Sequence, residues 1–266
     1  MNPVIFDQAD LPLEDLAAVG LVKNGQPVLE AEDLTALLSG RRTQMLRLEN
    51  LEHGGMKIAS LQAKLSLITG TDGKPELVLH PEYIRSTAPT YLTDTESEAL
   101  ESGEEKSLEK DIVDENGQRK RVLVEFDKDT KQFLQTDEDK VRAPDEINGY
   151  PLTPDQKAKF KRGEVIEVPD GTKVQYTATS RDGIRANRIG LIASILLDGG
   201  ISYLLFHGLK TLTNYSADFQ EVPLSDAYLN TLAKAQTQEM DDEEESNVLS
   251  TPAGQQSRGY NRSSAR

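Results

Sequence analysis

LTDTESEALESG at Leu92–Gly103 and LTPDQKAKFKRG at Leu152–Gly163 are the two strings on which the reading of this chain turns. Both run from Leu, eight residues on to Leu or Phe, and three more to Gly. Thr93-Asp94-Thr95-Glu96 is a capping box, in which the Thr hydroxyl accepts from the Glu96 amide and the Glu96 carboxylate reaches back. Thr153-Pro154-Asp155-Gln156 is the same box with Gln returning, and Pro154 sits where a missing N–H costs nothing. Gly103 and Gly163 then supply the left-handed stop. A weaker copy, LEAEDLTALLSG at Leu29–Gly40, lacks the Thr cap but keeps the apolar spacing and Gly40. The three glycines are 63 and 60 residues apart (40 to 103, 103 to 163), which points to one supersecondary unit used three times.

Outward from each glycine the sequence turns β-rich. Asn116-Gly117, Asp72-Gly73 and Asp170-Gly171, flanked by alternating apolar residues, are hairpin signals, and His53-Gly54-Gly55 marks a further turn. Each unit therefore reads as a short helix followed by an antiparallel meander. The fold class expected is α+β: three helix-plus-hairpin units, the last followed by an apolar helix pair, then a disordered acidic tail. The corresponding partition is residues 1–90, 91–148, 149–218 and 219–266.

The apolar pair is drawn over Arg188–Leu212, the most apolar stretch present, as two buried helices joined at Asp198-Gly199-Gly200 with Asp198 capping the second. The same run is broken by charge and glycine near its centre, so a membrane helix is the poorer reading. Past Gln236 come Glu239 and the acids Asp241–Glu245, then a Ser-, Gly- and Gln-rich end. Residues 236–266 accordingly read as a disordered tail, solubilising or partner-docking.

Composition narrows the chemistry. Of 266 residues 36% are hydrophobic, only 5% are aromatic and none is Trp, so the core must come from Leu, Ile and Val, and several small units suit it better than one large one. Cysteine is absent, which removes thiol nucleophiles, disulfides and thiolate metal sites together. A formal charge of -15 repels nucleic acid unless basic residues gather on one face. The start MNPVIFDQADLPLEDL has neither a basic n-region nor an apolar h-region, and the expected compartment is the cytoplasm.

No catalytic motif stands out. His53, His80 and His207 are scattered with no ligand spacing, and neither a phosphate loop nor GxSxG occurs. No cofactor, metal or small-molecule ligand is expected. Basic residues recur near helix ends and hairpins, and Arg41, Arg42, Lys159, Lys161, Arg185 and Arg188 are the candidate phosphate contacts if the units align them. The alternative is that they are solvated faces. Ile195, Leu196, Tyr203 and Leu204 are the candidate partner-binding residues, because two short helices cannot hide that much apolar surface against each other.

LTALLSGRRT at 34–43, AKLSLITGTDGKPELVLHP at 63–81, LTPDQKAKFKRGE at 152–164 and GIRANRIGLIASILLDGGISYLLFHGLKTL at 183–212 resemble an uncharacterised bacterial family. Its members are domain-of-unknown-function proteins carried on conjugative and other mobile elements. The resemblance spans about residues 8–215 and implies an accessory or interaction module, with no activity, cofactor or catalytic residue to carry over. The expected role is a non-enzymatic interaction module with a protein partner; the alternative is a nucleic-acid-binding accessory protein.

Overall fold

The computed structural model describes residues 5–53, 56–114, 116–188, 190–197, 200–206, 210–211 and 225–249. It is a mixed α/β structure of several small sheets, with five α-helices among the described residues. None of those helices is long and apolar enough to cross a membrane.

The chain opens with α1 (Leu13–Ala18), a two-residue hairpin pair β1 (Val22–Lys23) and β2 (Gln26–Pro27), and α2 (Ala31–Leu38). An antiparallel meander comes next: β3 (Leu46–His53), β4 (Met56–Thr69) and β5 (Pro75–Pro81), with Leu48 opposite Leu61 and Leu65 opposite Leu79. Leu16, Leu37, Leu48, Ala63 and Leu65 close an apolar cluster whose members all lie between Phe6 and Leu79.

Beyond it lie α3 (Asp94–Ser102) and the meander β6 (Leu108–Val113), β7 (Arg119–Asp127) and β8 (Gln132–Asp137). Thr93 caps α3, its hydroxyl accepting from Glu96 N–H while Glu96 accepts from Thr93 N–H, and Gly103 stops the helix at φ 81°. Leu100, Val122 and Val124 form a small cluster with Phe126 and Phe133, whose rings are 4.9 Å apart.

A short pair, β9 (Glu146–Ile147) and β10 (Tyr150–Pro151), leads into α4 (Pro154–Lys161), capped by Thr153 and Gln156. The strands β11 (Ile166–Glu167), β12 (Lys173–Tyr176) and β13 (Ile184–Ala186) then pair antiparallel. Gly40 and Gly163 also have positive φ, 65° and 72°.

The apolar stretch after Arg188 is a hairpin, not a pair of helices. β14 (Leu191–Leu197) and β15 (Gly200–Phe206) run antiparallel, Leu191 opposite Phe206 and Leu197 opposite Gly200. Residues 191–195 are buried in succession because β14 is covered on both faces, so the two-residue alternation that marks a strand is erased. Asp198, expected as a helix cap, lies outside the described residues, as does His207. β14 also pairs with β9, joining residues far apart in sequence, and β16 (Lys210–Thr211) lies parallel to β13.

The reading of residues 236–266 as disordered is corrected for its first part: α5 spans Asp226–Leu249. Its seat is upstream of Gln236, where Tyr228, Thr231, Leu232 and Ala235 share one face at helical spacing and are buried or half-buried. Once a packed turn exists, adding further turns is cheap, which carries the helix into the acidic stretch. Gly149, at φ 79°, lets α5 approach: a Cβ there would lie 2.4 Å from Thr231 Oγ1 and 2.8 Å from the Ala227 carbonyl oxygen. Residues 250–266 lie outside the described residues.

Candidate functional site

The most concentrated chemistry lies where the three meanders meet. Lys64, from the middle of β4, is 1% exposed, and Asp127, at the end of β7, is equally buried. The Lys64 ammonium donates to both Asp127 oxygens at 2.8 and 2.9 Å and to the Thr179 carbonyl at 3.2 Å, and pairs with Asp129 Oδ2 at 2.8 Å. Three donors thus meet carboxylates of the second meander and a carbonyl of the third. Asp127 Oδ1 also accepts from Asp129 N–H at 3.2 Å, fixing the turn that presents both carboxylates.

Arg42 approaches the same turn from the loop after α2. It lies 3.5 Å from Asp127 Oδ2 and donates to Thr130 Oγ1 and Gln132 Oε1 at 3.3 and 3.1 Å. Burial draws its guanidinium pKa down while Asp127 opposes the shift. Arg41 Nε donates 2.7 Å to the Arg181 carbonyl, and Arg181 reaches back to Glu30 at 2.8 Å and Asp33 at 3.4 Å.

A second buried pair ties β7 to the third meander. Glu125 faces Arg185 Nη2 at 3.1 Å and accepts from the Thr177 hydroxyl at 2.7 Å and the Ala178 amide at 2.5 Å. Burial pushes the Glu125 carboxyl up, and Arg185, the amide and the hydroxyl pull the other way. Burial also pushes the Tyr176 phenol above its usual range, with Glu125 adding to it. Ser66 Oγ and His80 Nε2 share a 2.8 Å hydrogen bond, but His80 is lowered to about 4, by burial first and then by the Arg42 charge. The ring is thus a weaker base toward the Ser66 hydroxyl than an ordinary histidine.

Of the six basic residues singled out by sequence, Arg41, Arg42, Arg185 and Arg188 are engaged by groups of this same chain. Arg42 and Arg185 are spent in the junction, and Arg41 is committed to the Arg181 carbonyl. Arg188 is buried against Asp170, with its Nη2 3.0 Å from that residue's carbonyl. Lys159 and Lys161 are on α4, and Lys159 pairs with Asp155 at 2.9 Å one turn away. The groove at the turn end of β6 and β7, about 550 Å³, also holds paired charges, Arg121 with Glu109 and Asp111 and Lys120 with Asp137.

The four apolar candidates belong to the C-terminal hairpin. Ile195 is buried in the largest apolar cluster and Leu204 packs against it. The Tyr203 amide donates to Gln238 of α5 at 3.3 Å. The side chain of Leu196 is outside the described residues. Exposed apolar side chains are scattered, Ile201 of this same hairpin and Val113 of β6 among them, and the most exposed of the described residues is Ile84, 93% exposed beside Tyr83. Their segment is tethered, with Tyr83 N–H on the Thr130 carbonyl at 3.1 Å and Glu82 paired to Lys131 at 2.8 Å.

Sequence reasoning missed Lys64, Asp127 and Glu125. The available signal was a charge at a strand position whose neighbours are apolar, as in Ala63-Lys64-Leu65 and Val124-Glu125-Phe126. Among the described residues no group of three or more His, Cys, Asp or Glu is placed to hold a metal ion.

A family described as a protein of unknown function (DUF4099) matches the chain over residues 6–88. No curated protein and no solved structure matches it.

Proposed function

We propose that the chain is a non-enzymatic interaction module built from three helix-plus-meander units, and that it serves a protein partner. The observation that carries this reading is where the charge goes. Arg42, Lys64, Arg185 and Arg188 pair with carboxylates of this same chain, the last three buried and Arg42 half-buried. Cations used that way hold units in register and are not presented to a phosphate backbone. The order α2 then β3–β5, α3 then β6–β8, α4 then β11–β13 supports the threefold template. The mobile-element setting of the resembling proteins makes an accessory role the natural one.

The tethered Tyr83-Ile84 segment is the proposed contact surface: apolar, exposed and held at Glu82 and Tyr83 by the turn before β8. Affinity capture of tagged protein from its host, with and without nuclease, beside the Ile84→Asp variant, tests this. Partners that survive nuclease and disappear with Ile84→Asp support it. Partners that vanish with nuclease would put nucleic acid first, and that reading would then rest on Lys159 and Lys161.

A further inference from the structure

The apolar clusters divide the molecule more sharply than its sheets do. The first cluster draws every member from Phe6 to Leu79, and the other two draw theirs from Tyr91 onward. Among the described residues no apolar cluster crosses from one side of this line to the other. The contacts that do cross are polar: Lys64 and Arg42 to Asp127, Lys64 to Asp129 and the Thr179 carbonyl, Arg42 to Thr130, Arg41 to the Arg181 carbonyl, Arg181 to Glu30, and Glu82 to Lys131. By contrast, the second and third meanders share a cluster through Leu123.

Polar junctions of this kind resemble contacts between parts that come apart, because buried ion pairs contribute specificity more than net adhesion. The family match adds a second, independent line. It spans residues 6–88, which includes Arg41, Arg42 and Lys64 and excludes Asp127 and Asp129. The cations of the socket thus belong to the matched segment, and the carboxylates that fill it belong to the second meander, beyond the match.

We propose that residues 6–88 form a separable docking module whose Arg42–Lys64 socket recognises an Asp-x-Asp turn. Asp127-Lys128-Asp129-Thr130 occupies that socket in cis. Lys64 reads both carboxylates, Arg42 reads Asp127 and the Thr130 hydroxyl, and the turn is pre-shaped by the Asp129 amide on Asp127. When the socket is vacated, an equivalent turn on another polypeptide can take it. This inference concerns two parts of the same chain and does not depend on the Tyr83-Ile84 reading.

The test uses the whole protein. The absence of cysteine allows a clean pair of spin labels at Lys23→Cys and Lys140→Cys, both exposed and on opposite sides of the junction. The parent should give one narrow distance distribution. Lys64→Glu should broaden and lengthen it with circular dichroism and hydrogen-exchange protection of β3–β5 unchanged, and the reversed pair Lys64→Glu/Asp127→Lys should narrow it again. A labelled peptide EFDKDTKQ, copied from residues 125–132, should bind the Asp127→Lys variant at least tenfold more tightly than it binds the parent. A narrow distribution in Lys64→Glu, loss of β3–β5 protection with it, failure of the reversed pair, or equal peptide binding would each overturn the proposal.

Discussion

Lys64 Nζ lies 2.8 Å from Asp127 Oδ1, with side-chain exposures of 2% and 1%, so two full charges from different sheets are joined out of reach of water. Removing Lys64 leaves Asp127 with Arg42 alone at 3.5 Å, and removing Asp127 leaves Lys64 with Asp129 and the Thr179 carbonyl. Lys64→Met should therefore weaken the closed junction by about 3–5 kcal/mol, and Asp127→Leu by a similar amount, read from the urea dependence of an interdomain spin-label distance with β3–β5 protection unchanged. The double variant Lys64→Met/Asp127→Leu should cost less than the sum, because the most deeply buried pair of charges is removed together.

Glu96 caps α3 and meets Lys110 Nζ at 2.6 Å. The Lys110 hydrogen bond, then the Thr93 amide, hold its carboxyl down to about 2. With the folded value below the unfolded one, this contact stabilises the fold above the ordinary carboxylate range, and the contribution is lost as pH falls from about 4.5 through about 2. Carbon-detected NMR titration of Glu96 should place its midpoint below those of the other glutamates, and Lys110→Met should move it up.

His80 has the opposite charge type and the same direction of pH dependence. Its folded value of about 4 lies below the ordinary 6.5, so the unfolded chain binds the proton more readily. Stability should fall as pH drops from 6.5 to about 4, and His80→Gln should flatten that part of the profile. Ring-proton shifts would show a midpoint well below that of an exposed histidine.

Gly149 has positive φ and no room for a side chain, whereas Gly117 has positive φ and open space. Gly117→Ala should cost about 1–2 kcal/mol from backbone strain alone. Gly149→Ala should cost more, because a methyl group strikes Thr231 and the Ala227 carbonyl and pushes α5 away. Thermal melts of the two variants, with exchange protection of α5 as the local readout, separate the effects.

Legibility in the sequence tracks the range of the forces. The boxes at Thr93 and Thr153 are satisfied within three residues, so they can be read without knowing the fold. The hairpin at Leu191–Phe206 reads as helices because its alternation is hidden by cover on both faces, which only tertiary structure supplies. The helix across Gln236 escapes notice because what seats it is Thr231 and Ala235 against the C-terminal sheet, while the acidic composition downstream points toward disorder. Arg42 and Arg185 look like phosphate ligands because their partners, Asp127 and Glu125, are 85 (127 − 42) and 60 (185 − 125) residues away. Ion pairing over such spans has no periodicity to read.

The pairing of β9 with β14 bears on how the polypeptide emerges during synthesis. Asn148 is fully buried: its amide donates to the Ile192 carbonyl at 2.7 Å, and its side-chain oxygen accepts from Ile192 N–H at 3.0 Å. Those partners do not exist until the ribosome has passed Ile192, whereas the residues of the apolar cluster ending at Leu79 have all been made long before. The C-terminal sheet therefore cannot close before those residues are made, whereas every residue of the amino-terminal cluster is made earlier. A nascent chain halted before Leu191 keeps the Asp170 and Thr172 partners of the Asn148 side chain but lacks the strand that covers Ile147 and Asn148 on the other side.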